Sequence, residues 1–168
     1  MQTPQWALLI SFWLHMLATV IWLGALSSLA IIVLPLAKKQ LSSDAFSDLL
    51  RNVNKKLDPL GWLSLGILTA TGLVQMSANP SYEGLFAFNN NWALALLVKH
   101  ILFLGMIAVS AYLTWTVNPA IERAAILRAK NPGKQPTGDH DNRLIALLRL
   151  NLVLAAFVLV LTALARIS

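Results

Sequence analysis

The sequence predicts an all-α integral membrane protein, an antiparallel four-helix bundle with both chain ends on the outer side, and three observations lead there. Four long apolar stretches punctuate 168 residues that are 57% hydrophobic, with a mean hydropathy of +0.66. Charged residues make up only 12% of the chain, about half of what a soluble domain carries. Those charges are segregated into two short basic segments that alternate with nearly uncharged ones. The chain reads as one transmembrane domain over residues 1–168, with no soluble module attached.

The first apolar stretch runs from about residue 6 to 36, long enough to tilt or to project from the bilayer. It has no Lys or Arg ahead of it and far exceeds the apolar core of a signal peptide, so it is expected to stay as a span. A polar stretch with Lys38, Lys39, Arg51, Lys55 and Lys56 follows. Within it Phe46, Leu49, Leu50 and Val53 recur at helical spacing, which predicts a short amphipathic helix on the cytoplasmic membrane surface, with Ser43 and Asp44 as caps. The second span is expected over 60–78 and the third over 92–117, the latter continuing into IERAAILRAK before the Pro/Gly-rich NPGKQPTGDHDN turn. The fourth covers about 144–165. Basic residues crowd the first and third loops, whereas the second carries Glu83 and neither Lys nor Arg. The positive-inside bias therefore places the first and third loops in the cytoplasm. Trp6, Trp92 and Tyr82 fit an outer aromatic belt, and Trp62 and Trp115 an inner one.

The same composition excludes several functions. The chain has no Cys, which rules out disulfides, a CxxC metal clamp and covalent c-type haem attachment. The formal charge of +6 flanks apolar spans, so it reads as a topology signal and not as a nucleic-acid surface. Phosphate-binding, hydrolase-elbow and HExxH patterns are absent.

Two histidines carry the functional reading. His15 lies nine residues past Trp6 and His100 eight past Trp92, so both fall ~12–14 Å below the outer boundary by helix rise. Ionisable groups at that depth mark function by default. First and third helices of an up-down bundle are diagonal partners, and cofactor sites are built from such inward positions. The pair is therefore expected to ligate a haem b through both axial positions, with copper as the alternative. Lys99, at nearly the same depth, would offset a haem propionate, and Gln75 and Arg166 at the outer helix ends would assist. The competing reading for each histidine is a hydrogen bond to a neighbouring helix, and for Lys99 it is snorkelling toward the headgroups. Small residues along the spans mark helix contacts, and Asn151 reads as a cross-helix hydrogen bond. Met16, Met76 and Met106 are spaced as gap-filling side chains, and His140 between two aspartates as a solvated loop.

His15, Trp22 and Gly24 with Pro35 at the far end of the first helix resemble the opening helix of the copper-resistance D family of bacterial membrane proteins. The likeness continues through Thr71 and Gly72, Lys99, the pair Asn118 and Pro119, and Arg149 and Asn151. It implies copper homeostasis in the bacterial inner membrane, with His15, Trp22, Gly24, Thr71, Gly72 and Lys99 as family-like positions, and with Trp22 joining the cofactor-binding set. A second, more distant resemblance is to the small haem-binding membrane protoporphyrinogen oxidases, in a first-helix His followed by Trp and a third-helix Lys. Here the Pro falls later, and Val109 and Ser110 occupy the region of a second histidine. The leading expectation is a haem b or copper centre near the outer face serving electron transfer or copper homeostasis, in contact with a periplasmic redox or copper-carrying protein. One alternative is a copper transporter passing the ion over His15, Met16, His100 and Met106. The other is a structural subunit of a larger respiratory or photosynthetic membrane complex.

Overall fold

Inside hydrocarbon every peptide N–H and C=O needs a partner within its own segment, so the apolar stretches are under pressure to be helical. The computed structural model describes residues 4–79, 91–130 and 140–167, and these are all-helical apart from short connections. Four helices result. α1 spans Gln5–Gln40 and α2 spans Ser43–Ser77. α3 begins as Asn91–Tyr112 and continues without a break to Lys130. α4 spans His140–Ile167. Each is long and apolar enough to cross a membrane, which makes this a multi-pass membrane protein in a lipid bilayer.

Two prolines shape the longest helices. Pro35 and Pro119 lack the N–H that an α-helix requires and crowd the preceding turn. In both cases a wider π-type turn comes just upstream, at Ser28–Val33 in α1 and Leu113–Val117 in α3. A third proline, Pro59, sits inside α2, where the carbonyl of Lys55 loses its helical donor. Lys55 is exposed, so that carbonyl need not remain unsatisfied.

The helices pack as two pairs, α1 with α2 and α3 with α4, joined by contacts of α1 with α4 and of α2 with the extension of α3. Partner registers run in opposite senses. Ser11 meets Thr71 and Gln75, while Trp22 meets Gly61. On the other pair Gly105 lies against Leu154, and Ser110 against Asn151. One apolar cluster, at the end rich in Lys and Arg, gathers Leu34, Phe46, Leu50, Val117, Ile121 and Leu144. A second, further along, centres on Ala18, Trp22, Leu65, Met106 and Ala155. At the basic end Lys38 of α1 donates to the Asn142 side chain of α4, and the Arg143 guanidinium lies 5.4 Å from the Tyr112 ring centre. Outward faces are apolar, as lipid requires: Leu9, Val20, Leu104 and Trp115 are all exposed.

One expectation needs correction. The amphipathic segment at 42–57 is not a separate surface helix. It forms the first half of α2, capped by the Ser42 hydroxyl accepting from the Ala45 N–H at 3.4 Å, one residue before the expected caps. Its apolar face does not lie on lipid, because Phe46, Ser47 and Leu50 are buried within the bundle. Packing against α1, α3 and α4 carries the helix straight through Pro59 into the apolar half. The expected extension of α3 beyond Val117 is present as Asn118–Lys130. Tyr82, Glu83 and most of the NPGKQPTGDHDN stretch lie outside the described residues, as do the side chains of Trp92 and Arg166.

Candidate metal site

His15 sits on α1 one helical turn after Ser11, and Thr71 sits one turn before Gln75 on α2. The opposed registers bring these four side chains into one cluster. His15 Nδ1 lies 2.8 Å from Thr71 Oγ1. Ser11 Oγ donates to the Thr71 carbonyl at 3.1 Å, and Gln75 Nε2 donates to the Ser11 carbonyl at 3.2 Å. Gly72 flanks the ring: a Cβ at that position would stand 3.7 Å from His15 Cε1, so the backbone of α2 passes close beside the imidazole.

The hydroxyl of Thr71 also reaches a backbone carbonyl, which bears on the tautomer of His15. It has one proton, and that proton is given to the Ile67 carbonyl at 2.5 Å. With its proton on that carbonyl the oxygen accepts from His15, and in this arrangement Nδ1 carries the proton and donates. The lone pair of the neutral ring is left on Nε2, which has no hydrogen-bond partner among the described residues. His100 reaches the same state by another route. Its Nδ1 lies 2.7 Å from the Leu96 carbonyl one turn earlier in α3, and a carbonyl only accepts. Both rings thus engage an oxygen through Nδ1. Metal-binding histidines share this arrangement, in which the other ring nitrogen donates to a fixed oxygen and orients the ligand.

The remaining expected site residues divide. Lys99 is half-buried on α3, next to His100 in the chain. Gln75 belongs to the His15 cluster through Ser11. Trp22 does not: its indole lies against Gly61, two turns away along α1. Met16 is 68% exposed and faces away from the interior, whereas Met106 is buried. Consecutive residues on a helix cannot share a face, so Met16 cannot join His15 in lining a path. Among the described residues no three His, Cys, Asp or Glu side chains come together as a metal-binding group. Ser11 was not singled out from sequence. Its signal was the one-turn spacing to His15, matched by Thr71 and Gln75 on the partner helix.

Four spanning helices with an oriented imidazole between two of them define a polytopic membrane protein with a polar site in its bundle. The family model for copper resistance protein D matches residues 51–165, more than half of the chain. The chain belongs to the copper resistance protein D family. The match takes in α2 from Arg51 onward, including Thr71, Gly72 and Gln75, together with Lys99, His100, Asn118, Pro119 and Asn151, while His15 and Trp22 precede it. No curated protein and no solved structure matches the chain.

Proposed function

We propose that the protein handles copper in the bacterial inner membrane, taking the ion on the outer half of the bundle through His15 Nε2, with His100 Nε2 as the second ligand. The observation that carries this reading is the contact of His15 Nδ1 with the Thr71 hydroxyl at 2.8 Å, which supports an imidazole donating through Nδ1 with its lone pair on Nε2. An imidazole so held binds a metal without first losing a proton. Family membership supports copper, and imidazole nitrogen suits it. In this reading the basic loops face the cytoplasm and both ends of the chain face outward. Lys99 places a positive charge near the bound cation. That charge weakens the hold, which suits a site that must release its ion.

Titration of the detergent-purified chain with Cu(I) against a competing chelator tests the proposal. Binding of one ion per chain is expected, with no Soret band in the absorption spectrum of the protein as isolated. Haem b between the same two nitrogens, the centre favoured by the depth match alone, would replace this reading if a Soret band and a sharp reduced α-band appear. Lys99→Met is expected to bind copper about tenfold more tightly, equivalent to ~1.4 kcal/mol. Unchanged affinity would remove Lys99 from the site.

A further inference from the structure

A second polar site lies between the His15 cluster and the basic end. A cavity of about 90 Å³ opens among all four helices, walled by Trp22 and Trp62, and its polar lining is Asn54, Asp58, Ser64, Ser110, Thr114 and Asn151. It shares no residue with the cluster around His15 and Thr71.

Its floor holds an anomaly. Asn151 is 1% exposed, and its amide N–H donates to Ser110 Oγ at 3.0 Å, the cross-helix bond expected from sequence. Its Oδ1 is buried with no hydrogen-bond partner among the described residues. A buried amide oxygen in that condition costs about 1–3 kcal/mol unless something in the cavity meets it. The half-buried side of the cavity holds Asp58, at the point where α2 turns from polar to apolar. Asp58 is held by a relay of amides: Asn54 Nδ2 donates to Asn118 Oδ1 at 2.8 Å, and Asn118 Nδ2 donates to Asp58 Oδ2 at 2.8 Å. The relay orients the carboxylate without neutralising it. Among the described residues no cation pairs with Asp58, and it is the one charged residue in the cavity wall.

The donor chemistry selects the ligand. Carboxylate, amide and hydroxyl oxygens suit hard cations, and the wall offers neither imidazole nor thioether to copper. One carboxylate balances one positive charge, whereas a divalent ion would keep an uncompensated charge between apolar walls. The volume accommodates an ion with some of its water. We propose that this cavity binds a partly hydrated alkali cation, drawn in by the Asp58 carboxylate and received by Asn151 Oδ1.

Thermal unfolding of the purified full chain tests this in choline chloride, NaCl and KCl at one ionic strength. A saturable rise in Tm with Na⁺, K⁺ or both, over choline, is expected. Asp58→Asn keeps the shape and the amide relay, so it should fold while its apparent cation affinity falls at least tenfold. Asn151→Leu should abolish the rise. Equal Tm in all three salts would overturn the proposal and leave the cavity to water. So would a rise that survives in Asp58→Asn. Copper titration of the same variants separates this site from the first, since Asp58→Asn should bind Cu(I) as the unaltered chain does.

Discussion

His15→Ala is expected to remove high-affinity copper binding outright. In the proposed site the imidazole is one of two ligands, and the side chains bonded around it do not replace it: Ser11, Thr71 and Gln75 supply oxygens and an amide, which are poor donors for Cu(I), so His100 would be left to hold the ion alone. Thr71→Val separates ligand from orienter. It keeps the branched shape and removes the hydroxyl, so His15 loses the acceptor that fixes its proton on Nδ1. Losing such a partner typically costs 10–100-fold in metal affinity. The expected order is therefore unaltered chain, then Thr71→Val weaker by about 10–100-fold, then His15→Ala with none. Thr71→Ser, which restores the hydroxyl, should recover most of the affinity. Competition titration with a Cu(I) chelator reads all three. A His15→Ala variant that binds copper as before would end the proposed role of α1.

Leu50→Ala is expected to give the largest loss of stability. Leu50 is 1% exposed and sits in the cluster with Leu34, Phe46, Val117 and Leu144, so truncation leaves a cavity bounded by three other helices. Such substitutions cost about 2–5 kcal/mol. For a chain of this length that corresponds to a fall in Tm of about 5–15 °C in detergent. Leu41→Ala, at an exposed position between α1 and α2, serves as the comparison and should change Tm little. The contrast tests the joined α2 directly. Were residues 43–57 a loose helix on the membrane surface, Leu50 would face lipid headgroups and its truncation would cost no more than that of Leu41.

The sequence carried the spans and misjudged one junction, for a reason visible in particular residues. Apolar runs longer than the hydrocarbon thickness demand helices wherever they occur, so four of them were legible as composition alone. The expected gap between the amphipathic helix and the second span falls at Pro59, next to the charges of Lys55 and Lys56, where local propensity breaks. Phe46 and Leu50 overrode it, since their burial requires neighbours from other helices that no local pattern displays. The site was half legible in the same way. The cross-helix bond of Asn151 could be read from its position along a span. The Thr71 proton given to Ile67, the bond from Asn118 to Asp58, and the outward turn of Met16 could not.

What the chain determines without a fold is one-dimensional: how many helices cross the bilayer, which loops carry the basic residues, and which ionisable groups lie at depth. Hydrophobic length and charge placement set these, and each is a property of a segment taken alone. Only the packed bundle decided the rotation of every helix about its axis, and with it which side chains meet. A turn of 100° per residue separates Met16 in lipid from His15 in the interior, and that angle is chosen by the opposing surface of α2. The tautomer of His15 and the orphaned oxygen of Asn151 follow from the same choice, because hydrogen-bond partners are set by contact across helices and not by order along them.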